Sequence, residues 1–169
     1  GGDPDNIVIT GESAGGHLCS LIALKHADVI KACVAFYGVY DICADTGHKE
    51  SVRTREDLLG RMVIGKEYQG NEELFASYSP IRQAGADAPP FFVIHGTHDS
   101  LVPVAEARLL VERLRAASRA PVVYAELPGT QHAFEIFPSI RSAHMVRGVE
   151  RFLSATVRRP ADAGVAAPA

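Results

Sequence analysis

The chain has 169 residues, of which 47% are hydrophobic and 22% are charged. This length and composition are typical of a single globular domain and exclude extensive disorder. A formal net charge of -3 argues against a nucleic-acid-binding protein, because such proteins usually carry a strongly basic surface. No apolar run approaches the roughly 20 residues that a membrane-spanning helix needs, so we predict no transmembrane segment.

Four short runs rich in β-branched and aromatic residues predict buried strands at 6–10, 32–37, 91–95 and 122–127. Helical spacing of apolar residues predicts helices over 14–26, 104–117 and 139–157. In the last helix the predicted apolar stripe consists of Ile140, Ala143, Val146, Val149, Phe152 and Leu153. Because strands alternate with helices, we predict an α/β fold whose mostly parallel sheet has helices on both faces.

Two stretches fall outside this alternation of strands and helices. Residues 41–80 are polar and charged, with short helical patches near 55–62 and 72–76. We interpret them as an insertion over the strand ends, within one domain that covers residues 1–157. The last residues, 158–169, are small and include proline, which predicts a disordered tail.

The three cysteines, Cys19, Cys33 and Cys43, show no paired spacing. An odd and sparse count favours buried free thiols in a reducing compartment, so we expect a cytoplasmic protein. No signal peptide is visible in the sequence. The chain begins with Gly1 rather than Met, and we therefore expect its natural N-terminus to lie upstream.

The strongest chemical signal is the run GESAGG at residues 11–16, which follows a predicted strand and opens a predicted helix. A G-x-S-x-G sequence in that context is typical of a nucleophile elbow, where glycines make room for a serine in a strained turn. The turn would expose the Ser13 hydroxyl at the carboxyl end of the sheet. The N–H of Ala14, at the helix N-terminus, would then bind an oxyanion. The alternative is a serine that only caps the helix.

A serine hydroxyl is a weak nucleophile and needs a base, together with an acid that orients the base. In a fold with a nucleophile elbow, the acid and then the histidine follow the serine along the chain. Asp99 comes just after the third predicted strand, and His132 lies in a glycine-containing loop after the fourth. We therefore predict Ser13 as nucleophile, Asp99 as acid and His132 as base.

Other acidic residues fit these roles less well. Asp41 also follows a predicted strand and is the second candidate for the acid. Asp87 precedes its strand and would lie at the wrong end of the sheet. Glu12, beside the serine, is expected to form a salt bridge or hydrogen bond beneath the elbow.

The other histidines are weaker candidates for the base. His17 lies one helical turn beyond Ser13, and we expect it to pack behind the elbow. His95 and His98 with Asp99 resemble a metal cluster, but no third histidine or cysteine stands nearby at ligand spacing. We therefore predict no metal, and acyl transfer by a serine, histidine and aspartate needs no organic cofactor either.

Four segments together resemble the carboxyl-terminal half of an α/β-hydrolase, and within that superfamily the hormone-sensitive-lipase-like esterases. They are GESAGG, YGVYD, PPFFVIHGTHDSLVPV and GTQHAFEIF, and the resemblance covers about residues 1–155. It implies that Ser13, Asp99 and His132 form the catalytic triad of an enzyme that cleaves a small ester through an acyl-enzyme. It also implies an eight-stranded, mostly parallel sheet, of which this chain matches the last four strands.

The resemblance is incomplete at the oxyanion hole. In the family, further oxyanion donors come from an HGG-type loop, and no such sequence precedes Gly11. We therefore expect this chain to be part of a longer protein and to have reduced activity alone. The first strand would then be an exposed edge, which makes pairing between two copies, and hence a homo-oligomer, a reasonable expectation.

The sequence constrains the substrate less than the mechanism. We predict carboxylic esters as substrates, and an acyl-chain pocket formed by the insertion would favour short or medium acyl chains. An amidase or peptidase on the same fold would use the same three residues, and a non-catalytic binding module is the third alternative. Apolar residues of the insertion either pack a small core of their own or line an acyl-chain pocket: Leu58, Leu59, Met62, Val63, Ile64, Leu74 and Phe75.

Overall fold

The computed structural model describes residues 2–157, in which four parallel strands form one sheet. The strands lie in chain order across the sheet: β1 (Ile7–Glu12), β2 (Ile30–Phe36), β3 (Phe91–Gly96) and β4 (Val122–Leu127). The parallel register places Phe36 beside Glu12 on one side and Ile94 on the other. All four strands therefore end at the same edge of the sheet, and their predicted positions are correct within two residues.

The helices follow the strands as predicted, with additional short ones in the insertion. They are α1 (Ala14–Lys25), α2 (Lys49–Arg53), a π-helix π1 (Thr54–Ile64), α3 (Glu72–Tyr78), α4 (Pro80–Gln83), α5 (Val104–Ala117) and α6 (Ile140–Thr156). Helix α6 begins with a capping box, in which Ser139 and Ser142 each accept a hydrogen bond from the other's backbone N–H.

Helices cover both faces of the sheet, as the alternation of strands and helices predicts. On one face, Cys33, Ala35, Phe91 and Val93 pack against α1, α4 and α5. On the other face, the intervening residues Val34, Phe92 and Ile94 pack against α6, where the ring centroids of Phe92 and Phe152 are 5.5 Å apart. Burial on both faces explains why β2 and β3 read as continuous apolar runs. The prediction of buried strands is wrong for β1 and β4, whose residues are partly buried or exposed because these strands lie at the two edges of the described sheet.

The apolar stripe predicted for α6 is only partly correct. Val149, Phe152 and Leu153 pack against the sheet, and Met145 joins them one turn earlier. Ile140, in contrast, is 81% exposed, and Val146 is half exposed. The reason is the helical repeat: position 146 lies about 100° around the helix from position 145, away from the line that faces the sheet.

The insertion packs around a small core of its own at the carboxyl end of β2. Ile42, Cys43 and Phe75 are buried together, with Leu59 and Ile64 packed against them. The other apolar residues considered for an acyl-chain pocket are exposed: Leu58, Met62, Val63 and Leu74. Both predicted helical patches are helical, within π1 and α3.

A buried glutamate attaches the insertion to the rest of the fold. Glu106, in the first turn of α5, accepts hydrogen bonds from the N–H groups of Tyr40 and Asp41 at 2.9 and 3.1 Å. Its other oxygen accepts the Ser51 hydroxyl at 2.6 Å. Burial raises the pKa of Glu106 to about 7, although these hydrogen bonds oppose the shift.

Strand β1 forms one edge of the sheet in the described residues. Within residues 2–157, β1 pairs with β2 alone, so its outer side has no strand partner.

Cys19, Cys33 and Cys43 are buried free thiols, and the sulfur atoms of the first two lie 3.8 Å apart. In the same range no helix combines the length and apolar character that crossing a membrane requires. The tail predicted at 158–169 lies outside the described residues.

Candidate active site

Ser13 occupies the sharp turn between β1 and α1. Its backbone has φ 53° and ψ -118°, a conformation that non-glycine residues rarely adopt. The Ser13 N–H donates to the carbonyl oxygen of Phe36 at 3.0 Å, which ties the turn to the end of β2. The Ser13 carbonyl accepts the N–H of His17 at 3.1 Å and so begins the helix. This is the backbone geometry of a nucleophile elbow.

Two glycines make this turn sterically possible. A Cβ atom at Gly11 would lie 2.2 Å from the carbonyl oxygen of Gly15, and one at Gly16 would lie 2.6 Å from the carbonyl oxygen of Phe36. These neighbours are backbone atoms, which cannot move aside without opening the turn. A Cβ atom at Gly15 would meet nothing within 4 Å, so the steric requirement falls on positions 11 and 16.

The structure brings Ser13, His132 and Asp99 together from three different loops. His132 Nε2 lies 2.9 Å from Ser13 Oγ, and His132 Nδ1 lies 2.7 Å from Asp99 Oδ2. Because a carboxylate accepts the proton of Nδ1, Nε2 is left as an acceptor facing the serine hydroxyl. The Asp99 side chain is fully buried, whereas that of His132 is 12% exposed, so the serine end of this chain is the end that solvent reaches.

The surroundings of Asp99 keep it ionised. Burial raises the pKa of Asp99, but hydrogen bonds from His95, the N–H of Val102, His132 and the N–H of Leu101 outweigh it and hold the pKa at about 2. The two backbone N–H groups both donate to Oδ1 at 2.9 Å. Asp99 is therefore a carboxylate at neutral pH and pairs favourably with a protonated His132.

Sequence comparison places the chain in a family. Residues 1–114 match the sequence profile of BD-FAE. The chain belongs to the BD-FAE family. Among curated proteins, it is 49% identical over 168 residues to the probable carboxylic ester hydrolase LipM of Mycobacterium tuberculosis. That match covers 91% of this chain but only 38% of LipM, so the chain spans well under half the length of this relative.

Two solved structures share the fold of this BD-FAE family chain. Pyrococcus horikoshii acylaminoacyl peptidase superimposes with a TM-score of 0.75 and 22% identity, over 93% of this chain and 25% of that one. The esterase Est2 of Thermogutta terrifontis gives 0.69 and 23%, over 99% and 59%. The predicted α/β-hydrolase fold is thereby confirmed as a partial, four-stranded version. The finer placement among hormone-sensitive-lipase-like esterases stays a prediction.

Asp41, the second candidate for the acid, forms hydrogen bonds within its own loop in this BD-FAE family member. Its Oδ1 accepts the N–H of Asp45 at 2.7 Å, and its Oδ2 accepts the N–H and the hydroxyl of Thr46, both at 2.8 Å. Asp87 is exposed and precedes β3, as the sequence indicates. The interaction predicted for Glu12 is wrong: among the described residues, its carboxylate makes no salt bridge and accepts no hydrogen bond.

The remaining histidines have structural roles or lie on the surface. His17 Nδ1 donates to the carbonyl oxygen of Val39 at 2.9 Å, which holds this ring behind the elbow as expected. His98 is exposed, and its Nδ1 lies 2.9 Å from Thr97 Oγ1. Over residues 2–157, no group of three or more histidine, cysteine, aspartate or glutamate side chains is arranged to hold a metal.

His95 is a site residue that the sequence suggests only as a metal ligand. In the structure its Nε2 lies 3.0 Å from the carbonyl oxygen of Val102 and 3.4 Å from Asp99 Oδ2. Because a carbonyl oxygen can only accept, Nε2 carries a proton and donates it to Val102, with Asp99 as a longer second contact. The fully buried His95 ring thus contacts the same carboxylate oxygen of Asp99 that accepts the proton of His132. In the sequence, the signal that indicates such a role for His95 is its position at the end of β3, four residues before Asp99.

Tyr37 is the second residue that sequence reasoning misses. It follows β2 directly, with a positive φ of 34°, and its ring centroid lies 4.5 Å from that of His132. Its hydroxyl donates to Glu135 Oε1, three residues beyond the histidine. The only sequence signal is its place at a strand end, in the YGVYD segment.

Proposed function

We propose that the protein to which this chain belongs is a carboxylic ester hydrolase that works through an acyl-enzyme on Ser13. The observation that carries the proposal is the hydrogen-bonded chain from Ser13 through His132 to Asp99, with distances of 2.9 and 2.7 Å. The similarity to LipM, named as a probable carboxylic ester hydrolase, supports ester cleavage as the reaction.

In the first half-reaction, Ser13 Oγ attacks the ester carbonyl carbon while His132 Nε2 takes the hydroxyl proton. Asp99 holds the Nδ1 proton and stabilises the imidazolium that forms. The tetrahedral intermediate collapses, the carbon–oxygen bond to the leaving alcohol breaks, and His132 returns the proton to that alcohol. In the second half-reaction, His132 takes a proton from water, which attacks the carbonyl carbon of the acyl-enzyme. The bond from that carbon to Ser13 Oγ then breaks, His132 returns the proton to Ser13 Oγ, and the carboxylic acid leaves.

The oxyanion of each tetrahedral intermediate needs hydrogen-bond donors. Ala14 is the first residue of α1, so its N–H has no partner within the helix and stands next to the nucleophile. We propose this N–H as one donor and assign the others to residues outside this chain. Removal of one such donor typically lowers kcat about 10²- to 10³-fold, so we expect weak activity from residues 1–169 alone.

The proposed substrate is a small ester with a short or medium acyl chain, which the insertion would bind. The exposed apolar residues Leu58, Met62 and Val63 of the insertion are available to contact an acyl group. An amidase or peptidase would use the same three residues, so a comparison of leaving groups must separate the two reactions.

The test uses p-nitrophenyl esters of increasing acyl length and matched p-nitroanilides, with the full-length protein. We expect Ser13→Ala to lower kcat/KM for esters about 10⁴- to 10⁶-fold. Ser20→Ala is the matched control, because Ser20 lies on the same helix with its hydroxyl bonded to the carbonyl oxygen of Gly16. Full activity of the Ser13 variant would refute the proposal, and turnover of anilides alone would favour the amidase.

A further inference from the structure

The backbone of Tyr37 is hydrogen-bonded to the sheet, next to the proposed nucleophile. Its N–H donates to the carbonyl oxygen of Ile94 at 2.8 Å, which joins the ends of β2 and β3. The residue before it, Phe36, provides the carbonyl oxygen that holds the Ser13 N–H. Tyr37 is 2% exposed, so its backbone and ring belong to the rigid part of the molecule.

The same side chain contacts the loop that carries the base. The Tyr37 ring lies against the His132 imidazole, with ring planes inclined at 59°, and its centroid is 5.7 Å from that of Phe134. The hydroxyl reaches beyond both rings and donates to Glu135 Oε1. One tyrosine therefore touches this loop at three of its four residues from 132 to 135.

The loop is bonded to the acid turn ahead of His132, through the carbonyl oxygen of Thr130, but the residues that follow Glu135 are exposed. Ala133, directly after the base, has a positive φ of 56°, and the residues that follow, Ile136 and Phe137, are largely exposed. Of the two hydrogen bonds of His132, the one to Asp99 persists during the proposed reaction, whereas the one to Ser13 breaks and forms again. The bond between Tyr37 and Glu135 adds an anchor that takes no part in proton transfer.

Tyr37 and Glu135 are chemically suited to a permanent hydrogen bond. Burial, and next the hydrogen bond to Glu135, raise the pKa of the Tyr37 hydroxyl well above its ordinary value, so it remains a donor at all working pH values. Glu135 Oε2 is shielded from solvent and has no hydrogen-bond partner among the described residues. The carboxylate is thus held through Oε1 alone, and loss of the tyrosine hydroxyl would leave it without that contact.

We infer that Tyr37 and Glu135 are positioning residues for the base: their hydrogen bond fixes the loop that presents His132 to Ser13 and Asp99. The inference rests on the proposed function, in which His132 transfers protons. The Tyr37 hydroxyl acts on the orientation of the imidazole through its bond to Glu135. Its loss should therefore lower kcat while KM changes little, since a misplaced base slows proton transfer without altering ester binding.

The experiment measures ester hydrolysis by full-length Tyr37→Phe, Glu135→Ala and Glu135→Gln variants. Tyr37→Phe keeps the ring against His132 and removes only the hydroxyl. We expect it to lower kcat about 10- to 100-fold, and Glu135→Ala to do the same. Glu135→Gln should retain activity within about 3-fold, because the amide oxygen still accepts from Tyr37. The Tyr37→Phe/Glu135→Ala double variant should be no slower than either single variant, because each single variant already removes the same hydrogen bond.

Tyr124→Phe is the matched control, because the Tyr124 hydroxyl donates to Glu126 Oε2 at 2.8 Å on β4, in a tyrosine–glutamate pair away from the serine. It should leave kcat unchanged. A second readout needs no substrate: the proton NMR resonance of His132 Nδ1–H should shift or broaden in Tyr37→Phe and stay in place in Tyr124→Phe.

The outcomes separate this inference from the proposed function. If the wild type shows no Ser13-dependent hydrolysis, the proposed function fails and this inference fails with it. If the wild type is active but Tyr37→Phe and Glu135→Ala keep its kcat and its His132 resonance, only this inference is overturned. A lower thermal midpoint with unchanged kcat would show a merely structural bond, and would overturn it as well. Glu135→Ala and Glu135→Gln keep the test decisive if Tyr37→Phe does not fold.

Discussion

The triad loops and the insertion both start at the carboxyl ends of the strands, but they are held in place by different means. Ser13 follows β1 immediately, and its N–H is bonded to the end of β2. The acid turn after β3 is tied to the loop after β4 by the N–H of Thr97, bonded to Leu127, and that of His98, bonded to Thr130. Each of these loops is short and takes its position from the sheet.

The insertion is much longer and supplies its own core. Phe75 lies at the centre of that core. Glu106, on α5, forms hydrogen bonds with the residues around the start of the insertion. A long connection gains little order from the strands it joins, so it needs buried apolar contacts of its own. We therefore expect substitutions in the triad loops to affect chemistry, and substitutions in the insertion to affect stability.

The largest expected effect compares two buried aspartates that both follow strands. Asp99→Asn should lower kcat about 10⁴-fold, because an amide in place of the carboxylate favours the wrong tautomer of His132. Asp41→Asn should leave kcat nearly unchanged and cost about 1 to 2 kcal/mol of unfolding free energy, since it loses hydrogen bonds to its own loop. Steady-state kinetics and urea unfolding of both full-length variants measure this. A kcat loss in Asp41→Asn as large as in Asp99→Asn would make Asp41 the acid.

The next effect is on the core of the insertion. Phe75 is 0% exposed and packs edge-on against Tyr68, so Phe75→Ala should lower the unfolding free energy by about 3 to 5 kcal/mol. Met62, 78% exposed, is the control, and Met62→Ala should change stability by less than about 0.5 kcal/mol. Urea unfolding provides the measurement. If folded Phe75→Ala also loses most of its kcat, the insertion shapes the triad, and the contrast drawn above is wrong.

The smallest expected effect is the contribution of Glu106 to the pH dependence of the unfolding free energy. Its pKa rises from an ordinary 4.5 to about 7 in the folded chain, because burial disfavours the charge. Between these values the folded state holds a proton that the unfolded state has released. Folding is therefore weakened as pH rises from about 4.5 to 7, by at most about 3 kcal/mol in total.

Glu106→Gln should remove this component, so the stability of the wild type relative to the variant should fall as pH increases over that range. Urea unfolding at pH 5, 6, 7 and 8 measures the difference. Glu112→Gln, at an exposed position of the same helix, should follow the wild type at every pH. Equal pH dependence in wild type and Glu106→Gln would show that Glu106 is ionised throughout.

Much of the fold and the centre of the site follow from local patterns. The strands are apolar runs bounded by turn residues, and α5 covers the predicted residues 104–117. Ser13, Asp99 and His132 each stand directly after or close to a strand end, so a parallel sheet necessarily brings them to one edge. The chain order of these three residues then suggests a role for each before any distance is known.

Other features depend on contacts between segments distant in sequence. Tyr37 meets Glu135 across 98 positions, and no spacing rule relates two such residues. His95 lies beside the carboxylate of Asp99, which depends on the direction of its side chain at the end of β3. The helical repeat alone did not determine which face of α6 is buried, because the sheet selects the line through Met145 rather than the one through Val146.

The sequence by itself therefore determined the α/β class, the four strands, and the positions of Ser13, Asp99 and His132 near strand ends, because these depend on short-range periodicity and on turn chemistry. Only the tertiary structure decided which aspartate meets His132, what braces that histidine, and where the insertion buries its apolar residues. Those outcomes depend on packing and on the satisfaction of buried polar groups across the fold, and neither is encoded in any one segment.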